Sequence, residues 1–153
     1  MNFPATFAKG HDDLGSRPGP QGQIPTSEPR KRSTRRSRIL LVEDDEGLRF
    51  ALKARLLHQG FHVELASDGV VARCSLLSCH YDAVVLDLGL PKSHGLDVLT
   101  DVSERKTLPP VIVLTGGDEH EQGLARTLGA NVVLQKPCEF QDLTAAIERL
   151  LAE

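Results

Sequence analysis

The sequence has few cysteines, few aromatic residues and no long apolar run. It contains three cysteines, one tyrosine and no tryptophan among 153 residues. Cys74, Cys79 and Cys138 show no CxxC spacing, so neither a disulfide framework nor a zinc site is indicated, and we expect free, buried thiols. No apolar stretch approaches the roughly 20 residues that cross a bilayer, which argues against membrane insertion. The first ten residues also lack the apolar core of a secretory signal, so we expect a cytoplasmic location.

The formal net charge of −3 combines two parts of opposite sign. Residues 1–38 carry eight Lys and Arg against three Asp and Glu, a charge of +5, whereas residues 39–153 carry ten against eighteen, a charge of −8. The first part is rich in Gly, Pro and Ser and buries too little apolar surface to offset its ordering entropy. We therefore predict a disordered basic tail over 1–37 and one folded domain over 38–153.

The tail ends in a dense basic run at 30–38, with six cations in nine residues. Such a run can bind nucleic acid or an acidic partner by releasing counterions. A solvated linker beside an acidic domain is the other interpretation, and no aromatic residue lies between the cations. The run therefore indicates nucleic-acid binding only weakly.

Short apolar runs alternate with helical patterns along the folded part. The predicted strands are Ile39–Val42, residues 61–65, Ala83–Leu86, Val111–Leu114 and Val132–Leu134. Apolar residues at helical spacing follow each of them, first at Leu48, Leu52, Leu56 and Leu57. Continuously apolar strands that alternate with helices predict an α/β fold, with a doubly wound five-stranded parallel sheet and helices on both faces.

Polar side chains follow four of the predicted strands at the point where each ends. Glu43 and Asp44 follow the first strand, Asp87 the third, Thr115 the fourth and Lys136 the fifth. Ligands of open α/β sheets bind beyond the carboxyl ends of the strands, so these groups are expected to converge. Each one alone could cap a helix or lie in solvent, but their joint placement favours a site.

Three carboxylates in one small pocket require cations, because they repel one another and raise one another's pKa. Lys136 supplies one positive charge, and the remaining oxygen ligands indicate Mg²⁺. A carboxylate beside such a cation can attack phosphorus and form an acyl phosphate. The metal, the lysine and the threonine hydroxyl would stabilise charge on the transferring phosphoryl oxygens. The residues therefore suit phosphoryl chemistry.

Five stretches of the sequence carry a family resemblance. They are ILLVEDD at 39–45, YDAVVLDLGLP at 81–91, HGLD at 94–97, VIVLT at 111–115 and QKP at 135–137. In this order they resemble the receiver domain of response regulators in two-component signalling, from about Arg38 to Leu151. The resemblance implies a flavodoxin-like strand order of 2-1-3-4-5.

The resemblance also implies a role for each polar position. Asp87 corresponds to the phosphoacceptor, and Thr115 and Lys136 correspond to the hydroxyl and the ammonium that contact the phosphoryl group. The implied Mg²⁺ ligands are Glu43, Asp44, Asp87 and the backbone carbonyl of Gly89. The peptide bond between Lys136 and Pro137 is expected to be cis.

The implied function is signalling rather than enzymatic turnover of an outside substrate. A histidine kinase or a phosphotransfer protein would donate the phosphoryl group to Asp87, and the chain would promote only this transfer and its own dephosphorylation. Phosphorylation would bias a surface toward an unidentified downstream protein. We expect no output module after Glu153.

Two features depart from the family pattern and leave alternatives open. Val133 stands where receivers often carry an aromatic residue that changes rotamer on activation, and Gly116 and Gly117 follow the threonine. One alternative is a degenerate receiver that binds its partner without phosphorylation. The other is a nucleic-acid-binding regulator that uses the basic tail.

Overall fold

The predicted apolar runs form the strands of one parallel sheet. The computed structural model describes residues 35–91, 95–105 and 108–153. The strands are β1 (Arg38–Val42), β2 (His62–Ala66), β3 (Ala83–Asp87), β4 (Val111–Thr115) and β5 (Val132–Gln135). The helices are α1 (Glu46–His58), α2 (Gly69–Ser78), α3 (Gly95–Ser103), α4 (Glu119–Thr127) and α5 (Phe140–Ala152). The strands pair in the order β2-β1-β3-β4-β5, so the predicted fold and strand order are confirmed.

Alternate side chains of each strand enter two separate apolar cores, one on each face of the sheet. On β1, Leu40 packs into the core that includes the inward residues of α2, α3 and α4, whereas Leu41 packs into the core with those of α1 and α5. Successive side chains of a strand point to opposite faces, so a strand covered on both faces must be apolar throughout. This requirement explains why the central strands read as unbroken apolar runs.

Three helices begin after an aspartate whose side chain caps them, namely α1 after Asp45, α2 after Asp68 and α4 after Asp118. The side chain of Asp45 accepts a hydrogen bond from the Leu48 N–H at 2.6 Å, and Asp68 accepts one from the Val71 N–H at 2.9 Å. A side-chain acceptor at this position satisfies one of the free N–H groups of a helix N-terminus.

Several predictions made from apolar patterns are corrected by the structure. In α1, Leu56 is fully buried but Leu48 and Leu57 are 40% and 43% exposed, because only a narrow stripe of this helix meets the sheet. The thiols are free, as expected, but not buried. Cys74, in the middle of α2, and Cys79, which follows its last residue, are exposed, and Cys138 is half-buried.

The predictions for the basic tail concern residues that lie almost wholly outside the described ones. Arg35 is described, and its guanidinium lies 3.3 Å from the Asp82 carboxylate. The disorder and the partners predicted for the tail stay predictions. Among the described helices, none combines the length and the apolar character that crossing a membrane requires.

Two adjacent leucines of α1 provide a test of this packing. We expect Leu56→Ala to lower the free energy of unfolding by about 2–5 kcal/mol, because it leaves a cavity in the core. Leu57→Ala removes the same atoms from a half-exposed side chain and should stay within about 0.5 kcal/mol of the wild type. Urea unfolding followed by circular dichroism measures both values. Equal losses in the two variants would contradict the orientation of α1.

Candidate functional site

The strand order places a crevice at the carboxyl edge of the sheet. β1 and β3 are neighbours at its centre, and the helices that follow them lie on opposite faces. This reversal of direction is the point at which open α/β sheets bind ligands. β4 pairs with β3, and β5 pairs with β4. All of these strands are parallel, so the residues that follow four of them share one edge.

Three carboxylates meet at this edge. One ligand oxygen from each of Glu43, Asp44 and Asp87 lies within 4.8 Å of the other two. Glu43 and Asp87 are buried, at 2% and 5% exposure, whereas Asp44 is exposed to solvent. The cluster is therefore open on one side and closed on the other. The three carboxylates predicted to share this edge are thus brought together, and their roles stay predictions.

Backbone N–H groups fix the two buried carboxylates. The Asp45 N–H donates to Glu43 Oε1 at 3.2 Å, and the Gly89 N–H donates to Asp87 Oδ1 at 3.0 Å. Both donors lie two residues after their acceptor, in the loops that leave the strands. A β-carbon on Gly89 would lie 3.5 Å from Asp87 Oδ1, an ordinary contact, so no steric conflict requires glycine there.

Lys136 supplies the positive charge of the cluster. Its Nζ lies 2.9 Å from Asp87 Oδ2 and 3.5 Å from Glu43 Oε2. Burial alone would lower the pKa of this ammonium, but the hydrogen bond to Asp87 and the charges of both carboxylates outweigh it, and the pKa is raised. The lysine therefore stays charged and holds Asp87 directly. Its peptide bond to Pro137 is cis, as expected.

The single ammonium does not neutralise the pocket. Burial, followed by the charge of Asp87, raises the pKa of Glu43 from 4.5 to about 7, although Lys136 acts in the opposite direction. A carboxyl group that resists ionisation beside a second carboxylate marks a place where a further cation is favourable. Carboxylate oxygens are the ligands that hard divalent cations prefer. The donor set thus fits such an ion.

Thr115 lies at the same edge, but its hydroxyl is engaged elsewhere. The side chain is buried, and its Oγ1 donates to Glu121 Oε2 at 2.7 Å while accepting from the Gly117 N–H at 2.9 Å. Glu121 was not among the residues predicted from the sequence. A helix-capping pattern could have indicated it, because Asp118 is followed three positions later by an acidic residue, which then lies in the first turn of α4.

Gly95, the first residue of α3, lies directly against the end of β3. A β-carbon there would lie 2.5 Å from Leu88 Cα and 2.7 Å from the carbonyl oxygen of Asp87. No side chain fits this space, so only glycine allows α3 to begin so close to Asp87. Val133, the position that lacks the aromatic residue, is half-buried and packs against the core shared with α4.

Comparisons with known proteins identify the family. The model of the response regulator receiver domain matches residues 39–148, and the chain belongs to this family. It is 39% identical over 114 residues to the response regulator protein PmrA of Pseudomonas aeruginosa, covering 74% of this chain and 52% of that protein. It is 30% identical over 115 residues to the response regulator ArlR of Staphylococcus aureus, covering 75% and 52%. The chain spans about half the length of these curated relatives.

Solved structures show the same fold. The receiver domain of the sensor histidine kinase PA1611 from Pseudomonas aeruginosa, with a magnesium ion in its active site cleft, superposes with a TM-score of 0.72 at 27% identity, covering 78% of this chain and 100% of that one. The response regulator TrrA from Thermotoga maritima, in complex with Mg²⁺-BeF, gives 0.68 at 29% identity, covering 74% and 98%. The predicted membership in the receiver family is therefore confirmed.

Substitutions at Asp44 and Asp45 compare a proposed cation ligand with an adjacent helix cap. We expect Asp44→Asn to weaken Mg²⁺ binding at least about tenfold, because even an outer partner of a metal ligand carries that much affinity. Asp45→Asn should bind Mg²⁺ like the wild type, because the Asp45 side chain caps α1 and asparagine caps equally well. Calorimetric titration with Mg²⁺ measures both. Equal weakening in the two variants would refute a specific role for Asp44.

Proposed function

We propose that this receiver domain accepts a phosphoryl group on Asp87 from a histidine kinase or a phosphotransfer protein. The observation that carries the proposal is the position of the Asp87 carboxylate. It lies in one cluster with Glu43 and Asp44, and its Oδ2 lies 2.9 Å from the Lys136 ammonium. Family membership supports the same reaction class, and the roles of the individual residues belong to the proposal.

Each residue has a distinct task in the proposed reaction. An oxygen of the Asp87 carboxylate attacks phosphorus, the new O–P bond forms, and the bond to the donor nitrogen breaks with its electron pair leaving on the donor. Lys136 keeps a positive charge beside the acceptor and the entering phosphoryl oxygens. Glu43, Asp44, Asp87 and the Gly89 carbonyl would hold Mg²⁺, which would neutralise charge on the phosphoryl oxygens when bound.

Hydrolysis of the acyl phosphate returns the domain to its starting state. Water attacks phosphorus, Asp87 leaves as the carboxylate, and inorganic phosphate is released. The phosphoryl group is received and released on Asp87 itself, so the chain promotes only its own phosphorylation and dephosphorylation. A kinase or phosphotransfer partner and a cytoplasmic location accord with this role in two-component signalling.

Output in this proposal passes through a protein surface that phosphorylation biases. The two alternatives, binding without phosphorylation and binding of nucleic acid through the tail, gain no supporting observation from the residues that the structure describes. The carboxylate cluster favours signalling by phosphorylation over both alternatives.

Asp87, the last residue of β3, and Asp82, which precedes its first residue, provide a test of the phosphoacceptor. With acetyl phosphate and Mg²⁺, the wild type should gain one phosphoryl group, measured by intact-mass spectrometry of acid-quenched samples. Asp87→Ala should gain none, because the attacking oxygen is lost. Asp82→Asn should label like the wild type, because Asp82 lies just before β3 and accepts the Arg38 N–H at 2.7 Å, a contact that asparagine can keep.

Labelling that survives in Asp87→Ala would overturn the assignment of the acceptor. A wild type that takes no label from acetyl phosphate or from a histidine kinase would overturn the proposed function. Mass mapping of the labelled peptide distinguishes Asp87 from the other two carboxylates of the cluster.

A further inference from the structure

The hydroxyl group of Thr115 has one proton, and Glu121 accepts it. The Oγ1–Oε2 distance is 2.7 Å, and the acceptor is a carboxylate in the first turn of α4. A hydroxyl donates only one hydrogen bond at a time. Asp87 pairs with Leu114 between β3 and β4, so Thr115 follows the residue directly beside it. A phosphoryl group on Asp87 would offer the Thr115 proton a second acceptor, which makes the phosphoryl oxygen and Glu121 alternatives.

The carboxylate of Glu121 occupies the space that a side chain at position 117 would fill. A β-carbon there would lie 1.4 Å from Glu121 Oε2 and 2.5 Å from its carboxyl carbon, so any other residue would displace the carboxylate. Gly117 is not among the glycines with positive φ, so an alanine can adopt its backbone conformation. The glycine is therefore required by the position of Glu121 rather than by a turn.

The first turn of α4 depends on the same residues. The N–H of Glu121 donates to the Asp118 side chain at 3.0 Å, and the N–H of Gln122 donates to the Asp118 carbonyl at 3.1 Å. The bond from Thr115 ties this turn to the end of β4. Releasing Glu121 removes that tie while the cap at Asp118 remains.

We propose that Glu121 couples the phosphorylation of Asp87 to the first turn of α4. In the unphosphorylated state Thr115 donates to Glu121, and in the phosphorylated state it donates to a phosphoryl oxygen and releases Glu121. The negative charge of the phosphoryl group favours the release, because it repels the carboxylate. This coupling rests on the proposed function, and it needs no aromatic side chain at position 133.

Thermodynamic linkage makes the coupling measurable from either end. If phosphorylation releases Glu121, a phosphoryl mimic must break the bond between Thr115 and Glu121 in order to bind. Removing Glu121 must then tighten the binding of the mimic by the factor that this bond otherwise costs. A hydrogen bond to a partly exposed carboxylate corresponds to an effect of about fivefold in affinity. Loss of a purely structural contact would loosen α4 but would not tighten the binding of the mimic.

The experiment compares beryllofluoride binding, in the presence of Mg²⁺, to the wild type and to Glu121→Ala, measured by calorimetry. The matched control is Glu119→Ala, which removes an exposed carboxylate from the same turn of α4. Amide hydrogen exchange of residues 119–127 is measured in parallel, with and without the mimic. Gly117→Ala is the second variant, because it displaces the carboxylate without removing its charge.

We expect Glu121→Ala to bind beryllofluoride about fivefold more tightly than the wild type, while Glu119→Ala binds like the wild type. Beryllofluoride should accelerate exchange in the first turn of α4 in the wild type. In Glu121→Ala that turn should exchange rapidly with or without the mimic. If Glu121→Ala does not fold, the same result is expected of Gly117→Ala and decides the question.

Unchanged or weaker binding to Glu121→Ala, in a wild type that binds beryllofluoride, would refute the coupling and leave the proposed function intact. Equal tightening in Glu119→Ala would also refute it, because the effect would then be one of net charge. A wild type that does not bind beryllofluoride would count against the proposed function itself, and the coupling would fall with it.

Discussion

Crowding of negative charge at one edge of the sheet is the constraint around which the rest of the structure is arranged. Two of the three carboxylates, Glu43 and Asp87, are buried, and the low dielectric of that position strengthens their repulsion. The fold tolerates this arrangement because Lys136 reaches both of them, and because backbone N–H groups two residues along the chain donate to each. The raised pKa of Glu43 shows that compensation is incomplete. A pocket that is still short of positive charge is suited to take up a divalent cation.

The sequence was sufficient to predict the sheet and the groups at its edge. Strands covered on both faces are apolar throughout, so each strand end is visible as the first polar residue after an apolar run, at Glu43, Asp87 and Thr115 among others. Once the strands are known to be parallel, their ends must share an edge. Residues 43, 87 and 136 are therefore expected at the same edge however far apart they lie along the chain, and the long Lys136 side chain completes the contact.

Side-chain direction and exposure could not be predicted in the same way. The leucines of α1 follow one helical pattern, yet Leu48 and Leu57 are 40% and 43% exposed because the width of the stripe that meets the sheet depends on how the helix is docked. The acceptor of the Thr115 hydroxyl depends on where α4 begins relative to β4, which no local pattern specifies. Gly117 departs from the family pattern, and the reason for a glycine there is visible only in the structure, where the Glu121 carboxylate occupies the space beside it.

The order of the strands has a consequence for how the molecule is made. The residues of one pocket are spread from position 43 to position 136, and β5 is the last strand of this sheet to be synthesised. Until β5 pairs with β4, Asp87 has no ammonium beside it, because Lys136 directly follows that strand. An incomplete nascent chain therefore carries the Asp87 carboxylate without the ammonium that accommodates its charge. The charge balance of the pocket is established in the same step that completes the sheet.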